Sequence, residues 1–202
     1  MKYNKERKEI ILDKELNKID KFTFDFVKLL NEYVIVSGYV SILLGRSRAT
    51  EDVDLLVPKM NYNEFEDLWK KFEENGFECM NTSSIQESFN MLGEHAIRFF
   101  KKGKPIPNIE FKIIKTDLDR YSFENRIKVV INDKVFFISP LELQIAYKLF
   151  LAADGTDEEL KADKDIEDAR HLYKLFKEKI NKDEFNEFVS KLEVKKRMRL
   201  LE

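Results

Sequence analysis

Apolar residues along the 202-residue chain change their spacing several times, and each change marks a predicted element. From Lys5 to Glu32, Ile10, Ile11, Leu16, Ile19, Phe22, Phe26, Leu29 and Leu30 recur at three- and four-residue steps between charges, which predicts one amphipathic helix. Tyr33-Val34-Ile35-Val36 is a short apolar run of β-forming residues and predicts a buried strand, with Ser37-Gly38 as a sharp turn after it. Tyr39–Leu44 reads as a short helix stopped by Gly45, and Asp52–Val57 as a second strand closed by Pro58. Phe65, Leu68, Trp69 and Phe72 share one face of a predicted helix over Asn61–Asn75, for which Asn75-Gly76 is the stop signal.

Strand-like pieces follow at Phe77–Met80, Ala96–Phe100, Asn108–Lys115, Ile127–Ile131 and Val135–Ile138, with Asn132-Asp133-Lys134 turning the last two into a hairpin. Ser139-Pro140-Leu141-Glu142 has the form of a capping box with Pro at the first helical position. From there to the carboxyl end the pattern is helical. Leu143, Tyr147, Leu149 and Phe150 form one apolar stripe, and Ile166, Ala169, Leu172, Tyr173 and Phe176 another. The expected architecture is α/β: a mixed, twisted sheet flanked by helices over residues 1–138, with a helical lobe over 139–202 that closes over a cleft.

Composition narrows the class. Seventeen Phe and seven Tyr supply a core despite 37% charged residues, so general disorder is excluded. No apolar run approaches the ~20 residues that span a bilayer, and the amino terminus lacks the apolar stretch of a signal peptide, so the expected location is cytoplasmic with no membrane partner. With 36 basic and 38 acidic residues the net charge is −2, which does not support a globally basic nucleic-acid binder. High charge with only two glutamines, Gln86 and Gln144, fits ion-pair networks of a thermophile as well as the Lys/Ile bias of an AT-rich genome. The single Cys79 excludes an internal disulfide and reads as a small core residue. His95 and His171 have no partners at ligand spacing, so a zinc site is not expected; His95 reads as structural and His171 as a surface or interface residue. Lys101-Lys102-Gly103-Lys104 and Lys195-Lys196-Arg197 read as solvated turns or tails, with contact to an RNA backbone as the alternative.

The candidate chemistry lies in Tyr33–Val57. Asp52 and Asp54, two apart on a strand, project from one face roughly 7 Å apart, while Val53 points to the core. Two carboxylates at the edge of an apolar strand repel, and a hard divalent cation such as Mg²⁺, or Mn²⁺ in its place, resolves the conflict with waters and phosphates completing its shell. Ser37 and Gly38, between a strand and a helix start, offer backbone N–H groups to an anion, and Arg46 and Arg48 precede the carboxylates as candidate phosphate clamps.

Ser37-Gly38, thirteen intervening residues and then Asp52-Val53-Asp54 resemble the signature of the DNA polymerase β-like nucleotidyltransferase superfamily. Gly38 to Asp54, with Arg46, Thr50 and Asp52, is similar more narrowly to the minimal and abortive-infection-type members, many of them toxins of toxin–antitoxin pairs. That family usually places Gly where this chain has Ser37. The resemblance implies a third carboxylate on a neighbouring strand. Glu110, in Ile109-Glu110-Phe111, fits best, with Asp117 and Asp119 as competitors. Lys148, followed by Lys164-Asp165-Ile166-Glu167-Asp168, looks like the "Lys … Lys-Asp-x-x-Asp" pattern of abortive-infection-type members, which places Lys148 and Lys164 near nucleotide phosphates with Asp165 and Asp168 orienting them; the alternative is a solvated helix carrying an i,i+4 ion pair.

These features together imply transfer of a nucleotidyl group from a nucleoside triphosphate to an acceptor hydroxyl on RNA, a protein or a small molecule. Asp52, Asp54 and Glu110 would hold metal, and Ser37, Gly38, Arg46, Arg48, Lys148 and Lys164 the nucleotide. A second copy of the chain or an antitoxin is the implied protein partner. The alternative is a catalytically inactive protein of the same fold that binds nucleotide or a partner, a reading that Ser37 supports.

Overall fold

Val53, Leu55 and Val57 alternate with Asp52, Asp54 and Leu56 along one strand, and the first three are fully buried. A period of two sends one side of that strand into an apolar core and leaves the carboxylates on the other. The structure is a computed structural model that describes residues 1–156, 159–160 and 162–202. Nine strands form one mixed sheet: β1 (Lys2–Asn4), β2 (Glu9–Leu12), β3 (Val34–Val36), β4 (Asp52–Val57), β5 (Phe77–Cys79), β6 (Ile97–Lys101), β7 (Lys104–Ile113), β8 (Ile127–Ile131) and β9 (Lys134–Ile138). Their spatial order is β1-β2-β8-β9-β3-β4-β7-β6-β5. At its centre β4 pairs antiparallel with β3 and parallel with β7.

The described helices are α1 (Lys18–Val27), α2 (Gly38–Leu43), α3 (Tyr62–Glu74), α4 (Ile85–Glu94), α5 (Asp117–Glu124), α6 (Leu141–Leu151), α7 (Lys164–Phe176) and α8 (Lys182–Lys191), followed by a 3₁₀ segment at Lys195–Leu201. Phe26 of α1 and Phe72 of α3 stack at 4.4 Å between centroids, and both contact Phe99 of β6 and Phe111 of β7. This aromatic layer covers the apolar side of β4, β6 and β7. Helices α6, α7 and α8 pack on one another, and Tyr3 of β1 meets Phe176 of α7 edge-on at 5.8 Å.

The amino-terminal segment departs from the predicted long helix. Residues 9–12 alternate instead: Ile10 and Leu12 are buried while Ile11 is exposed, and the strand pairs in parallel with β8. Lys8, at φ 46°, turns the chain between β1 and β2. Helix α1 begins only at Lys18, where Asn17 and Asp20 form a reciprocal capping box. The apolar residues of this stretch fit both periods, and pairing with β8 decides between them.

Helices α4 and α5 lie outside the predicted elements, although Ile85, Phe89 and Leu92 of α4 recur at helical spacing. Both are marked by caps, Ser84 accepting from the Glu87 N–H and Thr116 boxed with Asp119. Ser139 does not cap α6 as its motif suggests. Its hydroxyl pairs with Ser122 at 3.2 Å, and Glu142 accepts from the backbone N–H of Asn181 at 2.7 Å, starting α8 rather than α6. Phe150, expected on an apolar stripe, is half exposed, and Cys79 is only partly buried. His95 is exposed beside Glu94, not a structural core residue, whereas His171 Nε2 bonds the Leu44 carbonyl at 3.2 Å.

Because Phe26 is fully buried among four other rings, Phe26→Ala is expected to cost about 3–5 kcal/mol in urea unfolding, with the m-value unchanged.

Candidate active site

Parallel pairing of β4 with β7 sets Asp54 opposite Glu110 and Asp52 opposite Asn108. Since Ile109 and Phe111 are fully buried, Asn108, Glu110 and Lys112 share the other face with the two aspartates. Lys112 Nζ lies 2.6 Å from Asp54 Oδ1 and 2.6 Å from Glu110 Oε2, so one ammonium bridges two strands. Arg98, opposite Glu110 on β6, donates to Glu110 Oε1 at 2.8 Å. Asp52 stands at the open end of the row, where the Thr50 hydroxyl donates to its Oδ1 at 3.2 Å. The side-chain oxygen of Asn108 is buried without a hydrogen-bond partner, while its amide donates to the Glu51 carbonyl at 3.1 Å.

Val36 pairs with Asp54, which brings the Ser37–Gly38 turn beside the carboxylates. Ser37 adopts φ 63° and ψ −142°, a combination otherwise close to glycine-only and costing about 1–3 kcal/mol. The side-chain amide of Gln144 clamps it: Nε2 donates to the Ser37 carbonyl at 2.7 Å, and Oε1 accepts from the Ser37 N–H at 3.2 Å. The turn is therefore less open to an anion than the sequence suggests. Gly38 has a different constraint, since a Cβ there would lie 2.1 Å from Arg48 Nη2. The arginine rests on the glycine.

Arg46, Arg48 and Lys148 converge on the fully buried Asp168. Arg48 reaches it through Nε at 3.1 Å and Nη2 at 3.0 Å, Lys148 at 3.1 Å, and Arg46 through Nη1. Arg46 also pairs with Glu167, and Lys148, itself buried, with Asp165. Lys164 is the outlier: its backbone carbonyl accepts from Arg46 at 2.8 Å, but its side chain is exposed. Burial alone would raise the Asp168 pKa, but Arg48, Lys148 and Arg46 outweigh it and hold the carboxyl below its ordinary range.

A cleft of about 270 Å³ is lined by Ser37, Asp54 and Lys112 together with Leu118, Leu143 and Tyr147, and it leaves Asp52, Glu110 and the Asp168 cluster outside its lining. Asp119 also borders it, but its carboxylate accepts from the backbone N–H groups of Lys115 and Thr116. Asp117 is in the first turn of α5. The basic clusters are solvated as expected, with Lys102, Lys104, Lys195 and Lys196 exposed, and some members make local contacts. Lys101 sits 4.0 Å above the Phe77 ring, Lys102 pairs with Glu78 at 3.4 Å, and Arg197 caps the carboxyl end of α6 through the Leu149 and Ala152 carbonyls.

Burial, reinforced by the hydrogen bond to Glu110, pushes Asp54 up to about 6 against the pull of Lys112. The bond with Asp54, then Lys112 and Arg98, hold Glu110 down at about 2. Among the described residues no three His, Cys, Asp or Glu side chains gather closely enough to cage a metal ion. The donor chemistry nevertheless fits a hard cation completed by water and phosphate, because two carboxylates already converge on one positive charge. Lys112, Arg98 and Gln144 escaped notice as site residues. For Lys112 the signal was present, since it shares a strand face with Glu110.

The fold is nucleotidyltransferase-like. Among solved structures, the chain superposes on an antigenic nucleotidyltransferase-like protein from Paracoccidioides brasiliensis with a TM-score of 0.55 and 20% identity, over 89% of this chain and 87% of that one. At that identity the likeness is one of fold. No protein-family model matches the sequence, and no curated protein matches it. No helix among the described residues is long and apolar enough to cross a membrane.

Two substitutions test these electrostatics. Asp168→Asn leaves three cations short of a shared partner, one of them buried, and is expected to cost about 3 kcal/mol, measured by urea unfolding at pH 7. Asp54→Asn is expected to act in the opposite sense. The folded pKa of about 6 lies above the unfolded value, so the native state binds the proton more tightly and loses stability as pH rises through 6. The variant should gain about 1–3 kcal/mol at pH 7.5, and the gain should fade towards pH 5.

Proposed function

We propose that this protein is a nucleotidyltransferase that moves a nucleotidyl group from a nucleoside triphosphate to a hydroxyl of an RNA, a protein or a small molecule. The observation that carries the reading is the pairing of Asp54 with Glu110 across β4 and β7, beside the Ser37–Gly38 turn, with Asp54 and Ser37 lining one cleft. The likeness of fold to a nucleotidyltransferase-like protein supports it.

In this reading Asp54 and Glu110 are the acids that would hold Mg²⁺ or Mn²⁺, which when bound offsets charge on the phosphates, with Asp52 at the end of the row adding negative charge beside them. Arg48, lying against Gly38 in the space a side chain would fill, is the guanidinium at the turn that would receive phosphate oxygens. Arg46 and Lys148 stand behind Arg48 on the same acid. Leu143 and Tyr147 give the nucleoside an apolar wall. The acceptor oxygen bonds to the α-phosphorus, the bond to the bridging oxygen breaks, and pyrophosphate leaves with the electron pair. The acceptor's proton passes to the Asp54–Glu110 pair.

A second reading, nucleotide binding without transfer, draws on the occupied Ser37 N–H and on arginines already paired with acids. Labelled nucleoside triphosphates with Mg²⁺, offered beside candidate RNA, protein and small-molecule acceptors, separate the two. Transfer that falls at least about 10²-fold in Asp54→Ala and Glu110→Ala is expected. Tight binding with no transfer to any acceptor favours the second reading, and absence of both binding and transfer overturns each.

A further inference from the structure

The most unusual group on the carboxylate face is a cation. Lys112 Nζ is 2.6 Å from an oxygen of Asp54 and 2.6 Å from an oxygen of Glu110, and Arg98 meets the other oxygen of Glu110 at 2.8 Å. Two carboxylates therefore face two cations, so the Asp54–Glu110 pair is balanced and the row's excess charge is that of Asp52 at its open end. A divalent ion approaching Asp54 and Glu110 finds their charge already balanced and meets an ammonium in the space between them. Like charges that close repel by several kcal/mol at the dielectric of a partly buried site.

The ammonium has the means to leave. Lys112 is about one-third exposed, twice as much as either acid, and it carries its charge on a flexible four-carbon stem. It borders the same cleft as Ser37, so a polyphosphate seated at the Ser37–Gly38 turn offers it a new anionic partner. Arg98 lies outside that cleft lining and stays with Glu110.

We propose that Lys112 is a built-in counter-cation that excludes divalent metal from Asp54 and Glu110 until a polyphosphate arrives to take up its ammonium. The inference rests on the nucleotide-binding reading above and adds an order to it: the free protein binds metal poorly, and metal and triphosphate enter together. Lys112 then belongs to the substrate site, because it changes partner from carboxylate to phosphate.

The test is Mn²⁺ binding, followed by the electron paramagnetic resonance of free Mn²⁺ and by thermal shift, with and without a non-hydrolysable triphosphate. Wild type is expected to bind Mn²⁺ at least tenfold more weakly alone than with the analogue. Lys112→Met keeps the stem and removes the charge, so it should bind Mn²⁺ alone at least tenfold more tightly than wild type, and Asp54→Asn in the same chain should erase that gain. Lys112→Arg should remain weak. If Lys112→Met binds Mn²⁺ no better while wild type still binds the analogue with metal, the counter-cation proposal is overturned and the nucleotidyltransferase reading stands. Wild type that binds Mn²⁺ alone as tightly as with the analogue overturns it without any variant. If neither metal nor triphosphate binds any of the proteins, both readings fall.

Discussion

Parallel pairing of β4 with β7 is the constraint on which the rest of the structure turns. Its register puts Val53, Leu55 and Val57 beside Ile109, Phe111 and Ile113 on one face and Asp52 and Asp54 beside Asn108 and Glu110 on the other. A slip of one residue would exchange the faces, burying carboxylates under Phe26 and Phe72 and exposing the rings. The aromatic layer therefore does more than stabilise. It fixes the register that juxtaposes Asp54 and Glu110, and Lys112 and Arg98 offset the repulsion that follows.

The central strands and the turn between β3 and α2 were legible because local pattern and tertiary demand agree there. Tyr33–Val36 and Asp52–Val57 are too apolar and too short for anything but buried strands, and Asn108–Ile113 alternates strictly. At the amino terminus they conflict. Ile10 and Ile11 sit at positions that fit a helix with Leu16 and Ile19, and only the β8 edge, more than a hundred residues later in sequence, selects the strand. Helices α4 and α5 are short and marked by side-chain caps, and in α4 the helical spacing of Ile85, Phe89 and Leu92 was a readable signal that went unused.

For the candidate site, the residue types and their strands were readable, but their pairing was not. Gly38 stands out as a turn residue, yet its need for no side chain comes from Arg48, ten positions away, and Ser37 holds its costly φ only because Gln144 grips both its backbone groups. Glycine, usual at that position in the family the motif resembles, would sit there without strain. Arg46 and Arg48 read as phosphate clamps, and Lys148 as a phosphate ligand oriented by Asp165 and Asp168, with which it does pair. In the fold all three share Asp168, a residue the helical spacing marked without revealing that it is fully buried.

Charge balance joins the two clusters. Arg46, Arg48 and Lys148 face Asp165, Glu167 and Asp168, and Lys112 and Arg98 face Asp54 and Glu110. The first set is neutral, the second carries one excess negative charge once Asp52 at the end of its row is counted, and of their cations Lys112 borders the cleft while Arg48 lies against Gly38. A bare triphosphate has to draw cations away from acids that then need a replacement charge, while a bare divalent ion has to displace cations that then need an anion. A metal-bound triphosphate meets both needs at once, because the incoming cation compensates the acids as the phosphates compensate the released side chains. Under the proposed function, the pairing of cations with acids in the free protein would favour the metal–nucleotide complex over either of its parts.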